Sequence, residues 1–274
     1  MKKRKGKNKK ETKRMSSAEE ENHIVKTWKL AQSYIASKVE TSLPPHLPSI
    51  SSVKYIGGLD ISFIRGTDEA VACFVLLGFP SLDVIRTEYV QGKMSVPYVP
   101  GYLAFREMML LSLVYEYALD HLPSTVHPDV IFIDGNGILH PRCAGLASHF
   151  GVLHNIPTIG VSKKCCLIDD GPNINRSAVR EKAKSVLLKR GDYFELVGDS
   201  GKVYGAAVRS CDDTIAPIYV SIGHKVTLSF ALELTKACTK SRVPQPTRLA
   251  DIWGRDKIRR LLMKRGENYS LKNN

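Results

Sequence analysis

No stretch of this 274-residue sequence is apolar for the roughly 20 residues that a membrane-spanning helix needs; the longest apolar run, residues 70–79, has the length of a strand. The N-terminus lacks the apolar segment of a secretory signal, because lysines fill it. A transit peptide is disfavoured by Glu11 and the acidic cluster Glu19, Glu20 and Glu21. A soluble, non-secreted chain without membrane attachment is expected. Six cysteines (73, 143, 165, 166, 211 and 238) show no two-residue metal-knuckle spacing, and neighbours 165 and 166 are poor bridge partners, so reduced core thiols are predicted. Eight histidines are scattered, with no pair on one helix face to hold zinc. No internal repeat occurs.

Negative charge is also scarce. The chain carries 40 Lys or Arg against 27 Asp or Glu, a net charge of +13. Residues 1–14 hold nine of the cations and one acid, so the surplus is concentrated in an arm. Such an arm suits a polyanion such as nucleic acid, or a nuclear address; a solvated leader without a partner is the plainer alternative. Residues 1–20 are predicted disordered, 21–256 a single folded domain, and 257–274 a second basic tail. Localisation in the nucleus or nucleolus and the cytoplasm is expected, with no obligate protein partner and a monomeric state.

Apolar spacing predicts a helix over 23–39, three strands at 53–64, 70–78 and 82–90, and a long helix over 102–121. A buried strand at 130–133, a helix at 142–154 and a strand at 158–161 form a β-α-β unit. A helix at 176–189, a hairpin at 192–198 and 202–209, a strand at 218–221 and a helix starting near His224 follow. Three antiparallel strands, then parallel strands alternating with helices, describe a mixed α/β sheet of ribonuclease H-like order.

Asp60 interrupts a buried strand, where a lone carboxylate is costly unless a cation or hydrogen bonds offset it. Asp134 ends the apolar run V-I-F-I-D, at the edge where α/β sheets gather their sites. If those strands are neighbours, the two carboxylates repel one another and favour a divalent cation. Each can also be read as a turn-capping Asp, and Glu107 as an ordinary acid in the first turns of a helix. His224, at a strand-to-helix junction, suits a general base or a plain helix start. Lys163 and Lys164 could meet a phosphate or simply lie exposed. Pro97, Tyr98, Val99 and Pro100 form a stiff loop presenting an aromatic ring, either a wedge for a base stack or a surface turn.

Taken together, Y-I-G-G-L-D-I-S-F from Tyr55, P-Y-V-P-G-Y-L-A-F-R-E from Pro97, D-G-N-G-I-L-H-P-R from Asp134, G-V-S-K-K from Gly160, Y-G-A-A-V-R from Tyr204 and S-I-G-H-K-V-T-L from Ser221 closely resemble the endonuclease V family. The similarity covers about residues 25–256, in the family's order. It implies a ribonuclease H-like fold and dependence on magnesium, with manganese as substitute. It implies that Asp60, Glu107 and Asp134 hold the metal, that His224 stands near its water, and that Lys163 is the active-site lysine. Pro97, Tyr98, Val99, Pro100 and Gly101 match the wedge; Gly135, Asn136, Gly137 and His140 match the loop beside a flipped-base pocket. The implied activity is hydrolysis of the second phosphodiester 3′ to inosine in RNA or deoxyinosine in DNA, leaving 3′-hydroxyl and 5′-phosphate ends. Eukaryotic-type members are implied to act largely on RNA and bacterial ones in DNA repair. Alternatives are a ribonuclease H-like nuclease selective for nucleic-acid structure and a non-cleaving inosine binder. The sequence departs from the family where Cys143 and Ala144 replace a usual glycine and aromatic residue, and at Ser229 and Phe230, where many members are polar or acidic.

Overall fold

In the computed structural model, which describes residues 17–266, helix α1 (Ser17–Lys38) precedes three strands, β1 (Tyr55–Phe63), β2 (Glu69–Gly78) and β3 (Val84–Lys93). The expected disordered arm lies mostly outside the described residues. The three strands pair antiparallel in sequence order. Helix α2 (Leu103–Asp120) then leads to β4 (Val130–Asp134), α3 (Leu146–His154) and β5 (Thr158–Ser162). Strand β4 runs parallel to β1 and β5 parallel to β4, so the first five strands take the order 3-2-1-4-5. That is the expected ribonuclease H-like arrangement.

Beyond β5 the expected hairpin forms, but the direction of the last strand departs from expectation. Helix α4 (Arg176–Val186) is followed by β6 (Tyr193–Val197), β7 (Val203–Val208) and β8 (Ile218–His224), and these strands return antiparallel, β8 pairing with β5. The parallel run therefore has only two members after β1, in an eight-stranded mixed sheet. Helices α5 (Leu228–Ala237) and α6 (Gln245–Lys264) close the fold. No helix among the described residues is long and apolar enough to cross a membrane.

The continuous apolar run of β2 follows from burial on both faces. Alternate side chains point to opposite sides of a strand. Cys73, Val75 and Leu77 join one core with Phe132, Val161 and Phe230, while Ala72, Phe74 and Leu76 join another with Leu110, Leu111 and Phe150 of α2 and α3. A third core lies under α4, around Val179, Phe194 and Leu196. Each fully buried large apolar side chain contributes about 1.5–3 kcal/mol.

Two glycines permit close backbone approach, one of a helix to the sheet and one between strands. A Cβ on Gly58 would lie 2.2 Å from the carbonyl oxygen of Pro246, so the start of α6 rests directly on the β1 backbone. Likewise a Cβ on Gly223 would lie 2.3 Å from Thr158 Oγ1. Its absence lets β8 stay paired through His224, three residues past the expected strand end, and α5 begins only at Leu228 behind its Thr227 cap. Similarly, α3 starts at Leu146 instead of 142, because Cys143 takes a left-handed φ of 52° that no helix continues. The domain boundary expected at 256 falls inside α6, whose Ile258 and Leu262 pack with Ile64 and Val71.

Candidate active site

Register brings the two strand aspartates together. Leu59 of β1 lies beside Ile133 of β4, so Asp60 and Asp134 follow at one level on neighbouring parallel strands. Asp60 shares its face with Gly58, the face covered by α6. Burial pushes its carboxyl well above the ordinary range, and the charges of Asp134 and Asp251 push it further, against the pull of Lys163. Glu107 reaches the same locality from α2; it is 6% exposed. Burial, then Asp134, raise its pKa to about 8. Lys163, at the end of β5, donates from Nζ to Asp134 Oδ2 at 2.7 Å. Burial works against the charge of Lys163, but Asp134, Asp251 and Asp60 outweigh it and hold the ammonium above its usual value.

This donor set fits a hard divalent cation in its chemistry. Asp60 and Glu107 are desolvated, and the charge of Asp134 opposes the ionisation of both; a cation is what reverses both effects. As the side chains stand, however, no three His, Cys, Asp or Glu among the described residues are grouped closely enough to hold an ion. Asp134 gives one oxygen to Lys163 instead. The expected three-carboxylate cage is thus an electrostatic cluster, with a lysine in the position of a counter-charge.

Next to it lies a cavity of about 190 Å³, lined by Tyr98, Gly101, Gly135, Asn136, His140 and Ala144, among others. That is below the roughly 300 Å³ where pockets for drug-sized ligands begin, and suits one planar ring system. The Gly101 carbonyl binds the walls together. It accepts from Gln32 Nε2 at 2.9 Å, His140 Nε2 at 3.1 Å and Arg142 Nη2 at 2.6 Å, so the 97–101 loop, the post-β4 loop and α1 meet on one atom. His140 also accepts from the Arg142 N–H at Nδ1. Burial, then Arg142, lower its pKa to about 4, so the ring is neutral at pH 7. Tyr98 stands 65% exposed at the cavity's rim beside Pro97, Val99 and Pro100. Gly137 is squeezed against β8, where a Cβ would meet the Ile222 carbonyl oxygen at 1.9 Å.

His224 does not belong to this cluster, which corrects the sequence expectation. Its backbone pairs with Thr158 at the start of β5, whereas Asp134 aligns with Val161 near that strand's end. Three residues separate these levels, about 10 Å along the strand. The His224 side chain is buried against Gly151 of α3, and its Nδ1 accepts from the Glu40 N–H at 3.2 Å. It holds the chain between α1 and β1 to the far edge of the sheet.

Two contributors gave no usable signal in the sequence. Asp251 sits in a mostly basic helical stretch, and only the contact of α6 with β1 brings its charge to Asp60 and Lys163. Gln32 reads as a polar position of an ordinary helix, yet it is 1% exposed and donates to both Gly101 and Ala144. Its Oε1 accepts from Arg142 Nε. At Cys143 the residue substitutes for a usual glycine but keeps glycine's left-handed backbone.

Comparison with known proteins gives a consistent picture. The family model described as endonuclease V matches residues 35–252. Human endonuclease V is 38% identical over 239 residues, 86% of this chain and 83% of its own length. The catalytic domain of the human protein superposes with a TM-score of 0.82 at 39% identity, covering 88% of this chain and 98% of that one. Endonuclease V of Ciona intestinalis, solved with a 23mer DNA containing an inosine followed by a ribo-adenosine, gives a TM-score of 0.81 at 33% identity, covering 88% and 99%. With Asp60, Asp134 and Lys163 brought together at one end of the sheet and this likeness over most of its length, the chain belongs to the endonuclease V family and is an endonuclease.

Proposed function

We propose that this endonuclease cleaves nucleic acid beside inosine, in RNA or DNA, at the second phosphodiester on the 3′ side, with a divalent cation at Asp60, Asp134 and Glu107. The observation that carries this reading is the adjacency of two features. A cluster of carboxyls, with those of Asp60 and Glu107 raised by burial and by the charge of Asp134, adjoins through the post-β4 loop a ring-sized cavity rimmed by an exposed tyrosine. The Ciona relative solved with inosine-containing DNA supports the same assignment.

Magnesium, or manganese in its place, fits these oxygen donors; when bound it supplies positive charge at the scissile phosphate and a more acidic water. Asp60 and Asp134, on two neighbouring strands, and Glu107, on α2, would hold it once their side chains turn toward the ion. The Lys163 ammonium, released from Asp134, faces the phosphate as a second cation. Tyr98 fills the gap left in the base stack when the target nucleotide leaves it. Hypoxanthine offers a carbonyl and a ring N–H where adenine offers the reverse pattern, so fixed backbone groups around Gly135 and Asn136 can tell them apart.

The test is cleavage of matched oligonucleotides carrying inosine or adenosine at one site, as RNA and as DNA, with magnesium. Cutting confined to the inosine strands, with ends mapping to the second linkage, is expected. Equal cutting of both bases would favour a nuclease selective for structure, and binding without cutting would favour a reader. Asp134→Ala should lower the rate by about three orders of magnitude, equivalent to about 4 kcal/mol of transition-state stabilisation.

A further inference from the structure

A second, larger groove opens from the active site. It has a volume of about 840 Å³, and its cationic lining comprises Lys163, Lys164, Arg176, Arg180, Lys184 and Arg242. Glu181 is the one acid among its lining residues, and it lies 2.8 Å from Lys184. The groove therefore keeps a strong positive surplus. A comparable groove over the second half of α6 differs in this respect. There Arg255 is held by Asp251 at 2.7 Å and Arg260 by Asp256 at 2.7 Å, so two of its five lining cations are offset within the helix.

The rim of the first groove is fixed in place. Arg176 Nε donates to the Cys165 carbonyl at 2.9 Å, and Arg242 Nη2 donates to the carbonyls of Lys163 and Pro217, each at 3.1 Å. Two arginines thus brace the segment that carries Lys163 and leave further guanidinium N–H groups with the charge. Arg180 and Lys184, one turn apart on α4, stand exposed along the same wall.

We propose that this groove carries the sugar-phosphate backbone of the substrate strand on the 3′ side of the cut. The proposal rests on the functional reading above. With the base in the 190 Å³ cavity and the scissile phosphate at Asp134, Lys163 marks the start of the downstream path. The repeated anion of a nucleic-acid strand matches a groove with this charge and no basic–acidic alternation.

Binding is measured by fluorescence anisotropy without divalent cations, using single-stranded RNA in which inosine is followed by a short or a long 3′ arm. The wild type should bind the long arm about tenfold more tightly, as a few added phosphate contacts predict. The double variant Arg180→Gln, Lys184→Gln should lose most of that advantage. Its slope of log affinity against log salt should fall by about 1.4, or 0.7 for each lost contact. Arg180→Lys with Lys184→Arg should retain both. Lengthening the 5′ arm should be felt equally by all three proteins. An unchanged long-arm advantage and salt slope in the Gln variant would overturn the proposal, as would a loss specific to the 5′ arm. The same series on adenosine-containing RNA keeps the two readings apart: absence of inosine preference defeats the base assignment, while the arm-length effect still reports on the groove.

Discussion

Glu107 holds its carboxyl in a place where ionisation is unfavourable, and this has a consequence for stability as well as for catalysis. Its pKa is about 8 in the fold against 4.5 for a free glutamate. Between these values the folded state keeps a proton that the unfolded state has lost. Stability therefore declines as pH rises from about 4.5 to 8. Glu107→Gln should raise the melting temperature of the metal-free protein at pH 8 by several degrees, at roughly 2–4 °C per kcal/mol, and change it little at pH 4.5. Thermal denaturation in EDTA at the two pH values checks this; an equal shift at both would remove the titration. The same proton must leave before a cation binds, so magnesium affinity should increase with pH up to about 8.

His224 makes the opposite prediction. Because its buried ring packs at the far end of β5 and accepts from the Glu40 N–H, His224→Ala should cost about 1–3 kcal/mol of stability through lost packing. The rate per folded molecule should stay near wild type. A hundredfold loss of rate with an unchanged melting temperature would return this histidine to the reaction.

At the scale of elements, the proposed base cavity is walled by a joint between a helix and two loops. Helix α1 presents Gln32 to the Gly101 and Ala144 carbonyls and to Arg142, while Arg142 also lies over the Tyr102 ring at 4.2 Å. Gly101 adopts φ +80°, and a Cβ there would meet Arg142 Nη2 at 3.0 Å, so this position requires glycine for two reasons. Gln32→Ala should destabilise the protein by about 1–3 kcal/mol, since buried partners lose their hydrogen bonds. It should also reduce the preference for inosine over adenosine more than it reduces cleavage of inosine, because the wedge loop is held by that joint and the carboxylates are not. Competitive cleavage of the two matched strands measures the ratio; an unchanged ratio would confine Gln32 to stability.

For the whole molecule, α6 is the piece that converts a sheet edge into a site. It covers β1 and β2, delivers Asp251 to Asp60 and anchors its second half through Ile258 and Leu262. A chain ending at residue 256 loses both anchors and should be less stable by roughly 3–6 kcal/mol, two buried aliphatic side chains' worth. A chain ending at 266 should match the full protein. Urea denaturation of the three lengths decides whether the C-terminal segment is a tail or part of the domain.

The sequence by itself determined the local order. Strand and helix periods, the strand-interrupting Asp60, the strand-ending Asp134 and the glycine-rich loop after it are all properties of short windows, and they sufficed to point to a mixed sheet and a nuclease family. What only the tertiary structure decided depends on pairing direction and depth. An antiparallel β8 sends His224 to the wrong edge, although its neighbours along the chain gave no hint of that. Asp251 and Gln32 matter through contacts with residues 191 and 69 positions away, Asp60 and Gly101. Periodicity reports which face of an element is buried; it does not say against what, and a charge acquires its chemistry from the groups that surround it once it is buried.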